Sequence, residues 1–272
     1  MPTLQLPGVD LHYETLGSGP LLLCVMGAQG NGSAWKSLAQ ELLSKYTVAY
    51  YDRRGFSNST ITGEQNHTER LSTDADDAAA LIAHLSPEAP ATVLGNSSGA
   101  IVALNLLLKH PSKVHKLVCH EPPAFGALPP HQQAFGEGVV NHIYDVYRNS
   151  GPIAAMEAFT GGLAVGKEGE LMRSSMHPRT SHEVRANALF WFEFELRQYP
   201  TSKVDVEGLM ALKEKFVPAA GVESGNEVGV APIACIAGAL GKEILRLPGG
   251  HLGFITDPKP WARDFLEGIS RY

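Results

Sequence analysis

The sequence predicts an α/β domain with a mostly parallel, doubly wound sheet flanked by helices. Three observations predict it. Short apolar runs, such as "PLLLCVMG" (20–27) and "ATVLGNS" (91–97), have the length and composition of strands buried on both faces. Stretches of helical pattern alternate with them. Several runs also end at glycine or another small residue, where a strand can turn sharply into a helix.

The elements follow in order. Residues 3–16 form a hairpin with "PGVD" as its turn, and "PLLLCVMG" is the first core strand. "GNGSAWKSLAQELLSK" (30–45) reads as a helix, and "YTVAYYDRRG" (46–55) as a strand with its turn. "STDADDAAALIAHL" (72–85) is a helix with Ser72 or Thr73 as its cap. "ATVLGNS", the helix "SGAIVALNLLLKH" (98–110) and the strand "VHKLVCHE" (114–121) complete the first half. Residues 124–205 contain helical patterns and no convincing strand, so they read as an inserted helical cap. The core is then residues 1–123 and 206–272. In its second part "KFVPAAGVES" (215–224) and "KEILRLPGGH" (242–251) are strands. "VGVAPIACIAGALG" (228–241) and "KPWARDFLEGISRY" (259–272) are helices.

Composition narrows the function classes. The 272 residues suit one large domain with an insertion. The net charge of −6 and the absence of any Lys/Arg cluster argue against nucleic acid as a partner. No apolar run reaches membrane-spanning length, and "MPTLQLPGVDLHYE" lacks a leader's basic and apolar regions. A cytoplasmic enzyme is the expectation. Cys24, Cys119 and Cys235 lie in apolar surroundings without a paired-cysteine pattern and read as buried thiols. No metal motif is present, and no cofactor is expected. Sequons at Asn31, Asn58, Asn66 and Asn96 read as chance matches, since Asn96 should be buried.

Four stretches carry chemistry. Gly95-Asn96-Ser97-Ser98-Gly99 matches G-x-S-x-G between a strand and a helix. There a nucleophile sits on a tight turn, with Ser97 central and Ser98 the weaker candidate. The Ser98 N–H, at the start of the helix, can stabilise an oxyanion. The loop "VMGAQGNG" (25–32) is the place for a second donor, with Gly27 and Ala28 as candidates. "LPGGHLG" (247–253) sets His251 after the last strand, where a base would take the Ser97 proton. Two carboxylates compete to orient it. Glu223 follows the strand before the histidine strand, as the usual plan requires. Glu121, in "LVCHEPP", ends the strand after the nucleophile helix among apolar and proline neighbours, where an unpaired charge is costly.

Taken together, "GNSSGA", "CHEPP", "LPGGH" and "DPKPWARDFL" resemble the α/β-hydrolase superfamily, and more narrowly its zearalenone lactonase branch. The resemblance implies an α/β-hydrolase fold, Ser97 as nucleophile, Glu121 as triad acid and His251 as base. It also implies oxyanion donors in Ser98 and in the Gly27–Ala28 stretch. "MGAQGNG" departs from the lactonases in length and composition, and their substrate-facing tryptophan has no clear counterpart. Trp191, in "FWFEFEL" (190–196), is the nearest candidate for substrate contact, against a packing role for that aromatic run.

Weaker motifs add little. Arg53 and Arg54 of "YDRRGFS" read as structural or solvent-facing. "GGLAVGKE" (161–168) nearly spells a P-loop, but Glu168 takes the Ser/Thr position and no strand precedes it. The expected activity is cofactor-free hydrolysis of a small-molecule ester or lactone through an acyl-enzyme. No nucleic acid or membrane partner is expected, and a homodimer is the one assembly allowed for. The alternatives are a C–C bond hydrolase of a β-diketone-type substrate and a slow-turnover receptor on a hydrolase scaffold.

Overall fold

The computed structural model describes residues 2–161, 166–225 and 229–272. The chain begins with a hairpin of β1 (Thr3–Leu6) and β2 (Val9–Gly17), turned at Pro7-Gly8 with Gly8 at φ 77. β3 (Leu21–Val25) is buried throughout. Its side chains divide by strand period. Leu21, Leu23 and Val25 join one core cluster, while Leu22 and Cys24 join the other. The sheet is therefore covered on both faces.

The expected helix over 30–45 is a 3-10 turn, Gly32–Trp35, followed by α1 (Lys36–Leu42). β4 (Thr47–Tyr51) follows, then the short β5 (Thr60–Ile61), which pairs with β2 and carries no clear sequence signal. α2 (Arg70–Leu85) starts before the expected caps. Ser72 and Thr73 lie inside it, and the Thr73 hydroxyl donates back to the Glu69 carbonyl at 3.1 Å. The entry is capped instead by Asn66, which accepts from the Thr68 N–H of a preceding 3-10 turn.

β6 (Ala91–Asn96), α3 (Ser98–Lys109) and β7 (Val114–His120) follow as expected. The next described elements are all helical. α4 (Pro130–Gly161) is broken at Gly151-Pro152, where Gly151 has φ 84 and ψ 175. α5 (Gly166–Ser175) and α6 (His182–Phe194) pack beside it, and α7 (Val206–Ala211) returns the chain to the sheet. The second part comprises β8 (Phe216–Gly221), α8 (Val230–Leu240), β9 (Leu245–Leu247), α9 (Gly253–Thr256) and α10 (Pro258–Ile269). Residues 162–165 of the near-P-loop stretch, and residues 226–228, lie outside the described residues.

The main sheet runs β1-β2-β4-β3-β6-β7-β8-β9, parallel from β4 to β9 and antiparallel at β2. α2, α3 and α8 cover one face through residues such as Ile82, Ile101 and Ile233. α1 and α10 cover the other through Leu38, Trp261 and Phe265. A third cluster, including Phe125, Ile143, Trp191 and Phe192, sits within the helical insertion and over Phe56. The C-terminal ends of β6, β7 and β9 open toward that cluster, at the edge where open α/β sheets bind ligands.

Candidate active site

The turn from β6 into α3 is strained in a way its neighbours require. Ser97 has φ 57 and ψ −132, a conformation a non-glycine residue adopts only when held there. It is anchored by its N–H to the His120 carbonyl at 3.0 Å and by its carbonyl to the Ala100 N–H at 2.9 Å. Glycines on either side make the turn fit. A Cβ at Gly95 would stand 2.7 Å from the Ala100 Cα, and one at Gly99 would stand 2.3 Å from the Val25 carbonyl. The side chain of Ser97 is thereby held at the mouth of the turn, beside the N-terminus of α3.

The two competing carboxylates are separated by geometry. Glu121 is fully buried just past β7, with φ 48. Its Oε2 accepts from His251 Nδ1 at 2.7 Å, and its Oε1 accepts from the Gly221 N–H at 2.8 Å. Burial acts to raise its pKa, but the His251 hydrogen bond and the neighbouring histidines outweigh that and hold it at about 2. Gly229 lets the chain pass over it, since a Cβ there would lie 2.3 Å from the Glu121 carbonyl oxygen. Glu223 is exposed, and its backbone N–H engages the loop by donating to the Gly249 carbonyl at 2.9 Å. Because Nδ1 of His251 donates to Glu121, Nε2 is the ring atom left with a lone pair.

His120, beside Glu121, is fully buried. Asn96 Nδ2 reaches its Nδ1 at 3.0 Å and the His251 carbonyl at 3.1 Å. The carbonyl can only accept, so Asn96 presents its amide hydrogens to both. His120 Nδ1 is then the acceptor and the proton sits on Nε2, a buried atom with no hydrogen-bond partner among the described residues. Burial chiefly, with His251 adding to it against the pull of Glu121, lowers the His120 pKa to about 4. His120 is a neutral wedge between Trp261 and His251, at ring distances of 6.1 and 6.3 Å.

The loop after β3 is held from behind by Arg53. Its Nε donates to the Met26 carbonyl at 2.8 Å and its Nη2 to the Gly27 carbonyl at 2.9 Å. In trans peptides the N–H points opposite the carbonyl, so the Gly27 and Ala28 N–H groups turn away from Arg53. Gly27 lies against the Ser97 turn, and a Cβ on it would be 2.7 Å from the Ser97 Cβ. The other Arg53 donors go to Asp74 (2.6 Å) and both oxygens of Glu195 (2.8 and 2.7 Å), which satisfies all five. Arg70 also donates to Glu195, at 2.8 Å, and Tyr199 to Asp74, also at 2.8 Å. The network is buried, so Arg53 is structural and does not face water. Arg54 is likewise buried and forks onto Asp77 at 2.8 and 2.7 Å.

Ser97, Ser98, Glu121, His251 and Ala28 line one cavity of about 150 Å³. Its remaining wall is largely apolar, with Phe125, Val140, Ile143, Phe159 and Trp191 among the lining residues. An apolar cavity of that size holds a benzene-sized group.

Comparison with known proteins agrees with this architecture. A family model described as "alpha/beta hydrolase fold" matches residues 20–143. An enol-lactonase from Burkholderia xenovorans LB400 superposes with TM-score 0.77 at 16% identity, over 99% of this chain and 100% of that one. The chain has the α/β-hydrolase fold. A thermophilic esterase from Thermogutta terrifontis is similar in the same way, with TM-score 0.70, 20% identity and 99% and 96% coverage. YraK of Bacillus subtilis (strain 168), an uncharacterized hydrolase, is 29% identical over 97% of this chain and 95% of its own.

Within this α/β-hydrolase fold the residues singled out from sequence have distinct fates. Ser97, Glu121 and His251 come together, with Ala28 and Ser98 beside them and Gly27 directly behind Ser97. Trp191 both packs and lines the cavity, 4.6 Å from the Phe159 ring centroid. Of its neighbours, Phe194 stacks on His67 and Phe190 covers Arg70. Cys24 and Cys119 are buried, and burial pushes both thiols well up, while Cys235 is only partly covered. Sequence reasoning missed two acidic residues of the insertion, Glu195 and Glu168. The arginine partners of Glu195 are 125 and 142 residues away and the partners of Glu168 are 82 and 84 residues away, and no local pattern marks such pairs.

Proposed function

We propose that the chain is a serine hydrolase of small, uncharged, apolar esters or lactones. The observation that carries this reading is the sharing of one apolar cavity by the strained Ser97 turn and the 2.7 Å Glu121–His251 pair. Ser97 Oγ attacks the carbonyl carbon and its proton passes to His251 Nε2. Glu121 holds the ring tautomer and stabilises the imidazolium. The Ala28 and Ser98 N–H groups, with Gly27 shaping the loop, receive the oxyanion. Collapse of the tetrahedral intermediate breaks the C–O bond, and His251 returns the proton to the departing alkoxide. In a lactone that alcohol stays tethered to the acyl group. Water, deprotonated by His251, then attacks the acyl-enzyme and releases the acid.

The wall supports a neutral substrate. No described residue lining the cavity is Lys or Arg, and residues 162–165 and 226–228 contain none in sequence. Glu195, which does line it, is fully engaged by Arg53 and Arg70. A substrate carboxylate would therefore find no uncommitted Lys or Arg among the described lining residues to offset its charge. The helices between β7 and β8 act as a cap that supplies this wall. The lactone half of the proposal rests on the resemblance carried by "GNSSGA", "CHEPP" and "LPGGH".

The test is turnover of a panel of aryl esters and neutral lactones by the wild type and Ser97→Ala, with labelling by an uncharged phosphonate. Turnover and labelling should both vanish in the variant while its circular dichroism is unchanged. Wild-type turnover rates in Ser97→Ala would sink the proposal.

A further inference from the structure

The loop that carries His251 is gripped by a carboxylate from the helical insertion. Glu168 stands in the first turn of α5. Its Oε1 accepts from the Gly250 N–H at 2.7 Å and its Oε2 from the Leu252 N–H at 2.8 Å. These two N–H groups flank His251. The paired glycines before His251 make room for the grip. A Cβ at Gly249 or at Gly250 would lie 2.9 Å from a Glu168 carboxylate oxygen. The neighbouring Lys167 fastens the same helix end further along, donating to the Thr256 carbonyl at 3.0 Å. Met172, later in α5, lines the cavity.

His251 is thus held at three places by three segments. Glu121, after β7, takes its Nδ1, and Asn96, at the end of β6, takes its carbonyl. Glu168 takes the N–H groups on either side. The first two belong to the sheet and the third to the insertion. A carboxylate spanning two backbone donors makes two charge-assisted bonds, stronger than neutral ones and directional at both ends. The Gly-Gly pair before His251 is intrinsically free in backbone angle, so this stretch needs an external restraint to hold one conformation.

We propose that Glu168 is a positioning residue for His251, so that seating of α5 against the sheet sets the base on line with Ser97. This rests on the reading of Ser97 and His251 as nucleophile and base. Without the carboxylate the loop relaxes and Nε2 drifts from the serine. A displacement of about 1 Å at a reacting group costs on the order of 100-fold in rate. The loss falls on kcat, because Glu168 itself is not among the residues that line the cavity. Glu168→Gln keeps one acceptor oxygen and turns an amide toward the other N–H, so it should lose less.

The experiment compares wild type, Glu168→Ala, Glu168→Gln, Ser97→Ala and His251→Ala on 4-nitrophenyl acetate and butyrate. Melting temperature and the low-field proton resonance of the His251–Glu121 bond are recorded alongside. Glu168→Ala should lose roughly 10- to 100-fold in kcat, equally for both esters, with KM within about twofold. Glu168→Gln should fall between it and wild type, and the low-field resonance should shift or broaden in Glu168→Ala. An unchanged kcat, an unmoved resonance, or a loss confined to KM that grows with acyl length would each overturn the proposal. If Glu168→Ala does not fold, Glu168→Gln decides by the same kcat and resonance criteria. Ser97→Ala and His251→Ala separate the two levels. If they stay active, the reading of the site fails. If they are dead and Glu168 variants match wild type, only the positioning role fails.

Discussion

His120 offers a sharp test of how burial governs this site. Its ring is fully enclosed, and its pKa is lowered from 6.5 to about 4. Above pH 6.5 the ring is neutral in folded and unfolded chains, and it contributes nothing to pH dependence. Between 6.5 and 4 the unfolded chain takes up a proton that the folded chain refuses, so stability falls as pH falls. Below 4 both states carry the proton and the slope ends. At 1.36 kcal/mol per unit the whole interval is worth about 3 kcal/mol, of which roughly 2–3 kcal/mol lies between pH 7.5 and 4.5. His120→Asn keeps an acceptor for Asn96 and removes the titrating ring. The assay is denaturant unfolding of both proteins at pH 7.5, 6.5, 5.5 and 4.5. Groups left unchanged act in both proteins and cancel in the difference. The wild type should lose about 2–3 kcal/mol relative to the variant on going from 7.5 to 4.5. Parallel stability–pH curves would refute the reasoning, because they would mean that His120 protonates in the folded state as readily as in the unfolded one. Glu121, held at about 2, loses its own contribution only as pH falls below its ordinary carboxylate range, so the two windows adjoin without merging.

Two further outcomes follow from the geometry. Glu121→Gln should cut kcat by about 10³–10⁴-fold through loss of the His251 tautomer, whereas Glu223→Ala should stay within about twofold of wild type. Steady-state kinetics on one aryl ester decides this, and a larger loss at Glu223 would reverse the assignment. Gly27→Ala places a Cβ 2.7 Å from the Ser97 Cβ and 2.9 Å from the Asn96 carbonyl oxygen. It should lower kcat by on the order of 100-fold by displacing the loop of Gly27 and Ala28 proposed to receive the oxyanion, with phosphonate labelling slowed in parallel. A normal kcat in the Gly27→Ala variant would show that this loop takes no part.

Much of the architecture was legible in the residues. The runs around Leu21–Val25, Ala91–Asn96 and Val114–His120 are apolar on both periods of a strand, and buried parallel strands demand that composition. The Ser97 turn was legible because its constraint is local. Gly95 and Gly99 lie within two residues of Ser97, and the clash they avoid is with the strand and helix on either side. The start of α2 was misread because Ser72 and Thr73 are good caps by type, while Asn66 and a 3-10 turn nucleate the helix earlier.

By itself the sequence determined the strand–helix alternation, Ser97 on its turn and His251 after the last strand, since each depends on neighbours within a few residues. It favoured Glu121, by its apolar neighbours and by the family resemblance, and kept Glu223 as a rival, since both end a strand at the same edge of the sheet. Tertiary structure decided which of them meets His251. Glu121 lies inside, where the Gly221 N–H and the His251 ring offset the cost of burying a charge, and Glu223 faces solvent. Tertiary structure also decided what holds the site. Arg53 secures the loop of Gly27 and Ala28, and Glu168 secures the loop of His251, each by bonding to backbone atoms. Backbone donors and acceptors are the same at every position, so no pattern of side chains announces which of them a distant charge will find.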